Sequence, residues 1–162
     1  MFAFRMSILY KALLPALVLV TAVPAKADSP DWVTSKWVNS SSKTVFKQAY
    51  RIACGAEPRV ITYGTESNGV KYQGNFWVKR VIGCPPSKRG SFYGYFEEIS
   101  VPSTSTAKKE WCKGSLMMSM TGGEIDNIGI AKWSDIEPAK QGYSCKSAGK
   151  TLQINLTAVK AE

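Results

Sequence analysis

Val60-Ile61-Thr62-Tyr63-Gly64-Thr65-Glu66-Ser67-Asn68-Gly69-Val70-Lys71-Tyr72-Gln73-Gly74-Asn75-Phe76-Trp77-Val78-Lys79 is the stretch whose reading decides the fold. Asn-Gly is the preferred two-residue turn of a β-hairpin, because both central positions need positive φ. Strand-like runs flank it at 59–67 and 70–82. A loop at 68–69 sets Glu66 opposite Lys71, Thr65 opposite Tyr72, Thr62 opposite Asn75, Ile61 opposite Phe76 and Val60 opposite Trp77. One face then collects Ile61, Tyr63, Tyr72, Phe76 and Val78. The other collects Thr62, Gln73, Asn75 and Lys79, with Val60 beside Trp77. Opposite charges meet and apolar residues segregate, as a half-buried hairpin requires.

Downstream, Cys84-Pro85-Pro86 and Ser87 to Gly90 end the second strand in a loop. Residues 91–101 are aromatic and β-branched and extend the meander. Pro102 and residues 103–106 lead into Ala107 to Cys112, read as one or two helical turns. Leu116 to Met120 reads as a buried strand, Gly122-Gly123 as a turn and Glu124 to Trp133 as another strand. In the last run Leu152, Ile154, Leu156 and Ala158 face one way; Thr151, Gln153, Asn155 and Thr157 face the other. Upstream, Ser29-Pro30-Asp31 is a helix start. Val45, Ala49, Ile52 and Ala53 share a helical face in 43–54, with Ser42 as N-cap and Gly55 past the end. A strand there would use Phe46, Tyr50, Ile52 and Cys54; helix is the favoured reading. The expected fold is α+β: a single disulfide-bonded domain over 28–162, mainly an antiparallel meander sheet with one to three short helices.

The chain of 162 residues has 21 Lys and Arg against 12 Asp and Glu, a formal charge of +9, and no histidine. Without imidazole there is no Ser-His-Asp or Cys-His triad and no His-ligated metal. Residues 1–27 read as a secretory signal peptide. Arg5 and Lys11 supply positive charge, Ala12 to Ala25 is apolar, and Ala25-Lys26-Ala27 is an A-x-A cleavage site before Asp28. Pro15 and Pro24 interrupt the apolar stretch, which is too short to span a bilayer, so the cleaved chain is not expected to be an integral membrane protein. Removing 27 of 162 residues takes three basic and no acidic residues, leaving 135 residues at +6. The expected location is the periplasm or medium of a bacterium.

Cys54, Cys84, Cys112 and Cys145 all lie beyond the leader. An even count in an exported chain argues for two disulfides. Of the possible pairings, Cys54–Cys84 with Cys112–Cys145 closes loops of similar length and is favoured. No C-x-x-C occurs, so neither a zinc site nor a redox pair is expected, and no cofactor is implied.

Other motifs give way to simpler readings. Ser144 to Thr151 has the tail of a phosphate-binding loop but lacks its first glycine and leads into a strand. Arg89 to Phe96 has the aromatic content of an RNA-binding strand, with Ser91 spoiling the spacing, so nucleic acid is not an expected partner. Met117, Met118 and Met120 suit Cu(I) in chemistry but read as core fillers without a supporting repeat. Asn39 and Asn155 sit in glycosylation sequons, which carry no meaning in a bacterial protein. Glu97 and Glu98 are adjacent, so on a strand they point to opposite faces and cannot address one substrate together.

The polar face of the hairpin is the candidate site. Trp77, flanked by Gln73, Asn75, Lys79 and Thr62, offers an aromatic plane beside amides, suited to stacking on a sugar or a partner side chain. The opposing reading covers Trp77 with the helix at 43–54. The expected function is non-catalytic binding of a carbohydrate or protein partner, acidic if charge guides it, outside the cytoplasm. The alternatives are a small hydrolase assembled from carboxylates such as Glu97, Asp126 or Asp135, and a structural component of an envelope or secretion complex.

Overall fold

The computed structural model describes residues 30–101, 109–122 and 127–160. The leader and cleavage site expected at 1–27 lie outside these residues, as do Ala107 and Lys108. The rest of the helical turns expected over 107–112 are not formed, because Glu110 is in a β-bridge and Trp111 and Cys112 begin a strand.

A four-residue helix, α1 (Asp31–Thr34), precedes two short strands, β1 (Lys36–Asn39) and β2 (Thr44–Lys47). After α2 (Ala49–Ala53) come six longer strands: β3 (Val60–Ser67), β4 (Val70–Ile82), β5 (Arg89–Val101), β6 (Trp111–Thr121), β7 (Ile128–Pro138) and β8 (Leu152–Val159). Each strand pairs antiparallel with its sequence neighbour, and β8 returns to pair with β1. The eight strands close into an up-and-down barrel.

The Asn68-Gly69 turn has both residues at positive φ, and β3 meets β4 with Glu66 opposite Lys71, Ile61 opposite Phe76 and Val60 opposite Trp77. This register turns Ile61, Tyr63, Phe76 and Val78 inward and buries them. Strand β5 adds Phe92 and Phe96, β6 adds Leu116, Met118 and Met120, and β8 adds Leu156. Met118 and Met120 are thus core side chains, while Met117, just before them and on the other face of the strand, is only partly buried.

The α+β expectation is overturned. The sheet is closed, the helices have four and five residues, and nearly everything else described is strand or turn. The physical reason is edge satisfaction. An open meander would leave the hydrogen-bonding groups of β1 and β8 unpaired, whereas closure joins Lys36–Val38 to Thr157–Val159 and removes both edges. The helix expected over 43–54 is split: Thr44 and Phe46 turn inward on β2, and Gln48, at φ 50°, switches the chain into α2.

The two ends of the barrel differ. At one end Trp32 and Tyr50 meet edge to face at 4.5 Å, and Tyr50 meets the core ring of Phe92 at 5.4 Å. Trp32, Val33, Ala49, Tyr50 and Ala53 are all buried, so α1 and α2 form a plug. The Cys54–Cys84 disulfide ties α2 to the β4–β5 loop, and the Tyr50 hydroxyl donates to the Ser87 carbonyl at 3.1 Å. The Cys112–Cys145 disulfide lies at the opposite end, where it holds the long β7–β8 loop against β6. Two disulfides point to an oxidising, extracellular-type environment. No described helix is long and apolar enough to cross a membrane.

Candidate functional site

The unplugged end opens into a cavity of about 540 Å³. Its walls carry Tyr72, Phe96, Glu98, Trp133 and Ile154, and its rim carries Ser42, Thr44, Thr65, Glu66, Asn68, Lys146 and Lys150. An eight-stranded barrel is just wide enough either to fill itself with side chains or to hold one small ligand. This one is filled with side chains toward the plug and leaves an open space toward the mouth.

The strand register explains the change. Across β2, β3, β4, β5 and β6, one row reads Phe46, Tyr63, Gly74, Glu98, Cys112. Gly74 has no side chain, and the Tyr63 ring occupies the space that a Cβ there would take. Tyr63 thereby reaches over β4 and donates from its hydroxyl to Glu98 Oε2 at 2.8 Å. Trp133 Nε1 donates to the same Tyr63 oxygen at 3.2 Å, and Phe46 packs on Tyr63 with ring centroids 4.7 Å apart. The next row toward the mouth is polar: Thr65, Tyr72, Ser100 and, through backbone bonding, Glu110. A chain of hydroxyls lines the adjoining wall, with Thr44 bonded to both Ser42 at 2.6 Å and Thr65 at 2.7 Å.

The two inner carboxylates have different surroundings. Glu110 is buried and occupied on both oxygens: Lys146 Nζ lies 2.7 Å from Oε1, and the Tyr72 hydroxyl donates to Oε2 at 3.2 Å. Glu98 accepts from Tyr63 and pairs with no cation among the described residues. Burial raises the Glu98 pKa above the usual carboxylate value; the Tyr63 hydrogen bond opposes this shift and the nearby Glu110 charge adds to it. Burial and Glu110 likewise push the Tyr72 phenol up to about 12, and Tyr63 is raised well above its ordinary value, first by burial and then by Glu98. Both phenols therefore stay protonated and act as donors.

The sequence-derived candidates lie elsewhere. Thr62, Gln73, Asn75 and Lys79 are exposed on the outer wall, where Thr62, Gln73 and Asn75 line an open depression of about 600 Å³ with Val45, Lys47 and Ile99. Trp77 is half-buried and stacks on Tyr95 with centroids 5.0 Å apart and planes 17° from parallel. Lys79 Nζ sits 5.2 Å from the same Tyr95 ring. The five candidates thus share one wall without converging on one cleft.

Of the carboxylates considered for hydrolysis, Glu97 lies on the outer face of β5, Asp135 is exposed and Asp126 lies outside the described residues; the acid that lines the cavity is Glu98, its neighbour. The sequence reading missed the cavity set of Glu98, Tyr72, Trp133 and Thr65 as a site. The available signal was parity: Glu98 falls on the inward register of β5 with Phe92 and Phe96, so an acid is aimed at the core. No family model, no curated protein and no solved structure matches this chain.

Proposed function

We propose that this chain is an exported, non-catalytic binding protein that holds a small molecule in the open end of its barrel. The observation that carries the reading is the asymmetry of the ends: a disulfide-tied helical plug closes one, and the other opens into a cavity of about 540 Å³. That volume falls within the common range for small-molecule pockets, and the lining is typical in mixing aromatic walls with a few polar groups. Binding is favoured over hydrolysis because the carboxylates are engaged. Lys43 holds Glu66 at 2.8 Å on the rim, and Lys146 and Tyr72 hold Glu110, so Glu98 lacks the free second carboxylate that glycoside hydrolysis needs. The leader read at 1–27 and the two disulfides support delivery to a periplasm or medium.

The test is titration with the neutral dye N-phenyl-1-naphthylamine. One-to-one binding is expected. Ile154→Trp, which adds bulk to the cavity wall, should weaken it at least about tenfold, and Trp77→Ala should leave it unchanged. Loss with Trp77→Ala and not with Ile154→Trp would move the site to the outer wall.

That outer wall supports a second reading. The Trp77–Tyr95 stack with Lys79 beside it, next to the amides of Gln73 and Asn75, suits a carbohydrate or protein partner. Capture on a glycan array by the native protein, lost in Trp77→Ala, is the expected result under that reading.

A further inference from the structure

We infer that the cavity selects small organic cations, an ammonium or guanidinium group on an apolar or aromatic body, with Glu98 as the anchoring carboxylate. This rests on the cavity being the ligand site and goes further by naming the ligand class. Glu98 lines the cavity with one oxygen held by Tyr63 and no cation paired to it among the described residues. Of the two lysines in the cavity lining, Lys146 is locked 2.7 Å from Glu110 and Lys150 is exposed at the rim. The cavity therefore contains one carboxyl group that no cation among the described residues pairs with.

The remaining walls fit the same ligand. Phe96, Tyr72 and Trp133 present aromatic surface around the carboxyl, and ring faces attract cations. Ile154 and Leu152 supply aliphatic surface nearer the mouth for the body of the molecule. Tyr63 fixes the carboxyl, because its hydroxyl is itself fixed by Trp133 Nε1 at 3.2 Å. An incoming ammonium meets an acceptor that is already oriented, and its charge restores the ionised form that burial disfavours. An anionic ligand would be repelled at the same point, and a neutral one would leave the carboxyl without its counter-charge.

Calorimetric titration of the disulfide-intact chain with tryptamine, tryptophol and indole-3-acetate isolates the head group on a constant ring. Tryptamine should bind one-to-one and at least about tenfold more tightly than the other two, the scale of one charge-assisted hydrogen bond. Glu98→Gln should erase that preference, whereas Glu97→Gln, altered on the opposite face of the same strand, should keep it. The three-probe comparison on the unaltered protein carries the test even if Glu98→Gln folds poorly. If tryptophol equals tryptamine, or the preference survives in a folded Glu98→Gln, cation recognition is overturned while the cavity reading stands. If neither the indoles nor the naphthylamine dye binds, both are overturned.

Discussion

A Cβ at Gly74 would overlap the Tyr63 ring, because Tyr63 lies directly across the β3–β4 ladder and turns inward over that position. Gly74→Ala should therefore displace Tyr63, break its bond to Glu98 and destabilise the fold by roughly 1–3 kcal/mol, the usual cost of overpacking. Chemical denaturation measures the loss; an unchanged midpoint would mean that the ring has another place to go. Glu98 itself gives a pH signature. Its pKa is raised in the folded state, mainly by burial, so the folded protein keeps this proton to higher pH than the unfolded chain. The stability contributed by that proton is complete below the ordinary value of 4.5 and is lost as pH rises through the higher folded value. Thermal melts should thus show a declining limb upward from about pH 4.5 that is shallower in Glu98→Gln. Superimposable profiles would contradict the assignment. At this scale the sequence separated Glu97 from Glu98 by strand parity, and the structure keeps them on opposite faces. It did not say that the inward one faces a cavity, because that depends on strands far away in the chain.

At the scale of elements, legibility followed the range of the interactions. The β3–β4 hairpin is specified by its own turn and its own cross-strand pairs, so its register was readable from twenty residues. Residues 43–54 were not readable in this way. Strand β2 has only four residues, too few to show an alternation, and its partners belong to β1 and β3. Helical spacing was real only for Ala49 to Ala53, where the short α2 packs on Trp32 and Phe92. Trp77 falls between the two fates weighed for it. It is neither sealed beneath a helix nor bare, but lies against Tyr95 on the outer wall. Trp77→Ala should cost about 1 kcal/mol, the worth of an aromatic pair, rather than the roughly 3–5 kcal/mol of a core aromatic truncation. Melting the two proteins side by side checks this, and a core-sized loss would make Trp77 part of the packing.

For the whole molecule, closure is the property that no local pattern announced. It rests on β1 and β8, which meet only over Lys36–Val38 and Thr157–Val159, supplemented by the Asn39 side chain donating to the Asn155 carbonyl at 2.7 Å. Strands β4, β5 and β6 are paired over far longer stretches. Amide hydrogen exchange should therefore be slowest in β4–β6 and fastest, among strand amides, along β1 and β8; uniform protection would show that the barrel opens only as a unit. The disulfides have a different relation to closure. Cys54–Cys84 spans 30 residues and Cys112–Cys145 spans 33, one after the other, with no interleaving and no crossing of the β1–β8 junction. For a chain that enters an oxidising compartment from its N-terminus, the first two thiols arrive with no competitor, and each bond joins the next cysteine to emerge. Pairing in order of entry thus gives the native bonds directly, and both closed loops lie upstream of β8, the strand that completes the ring.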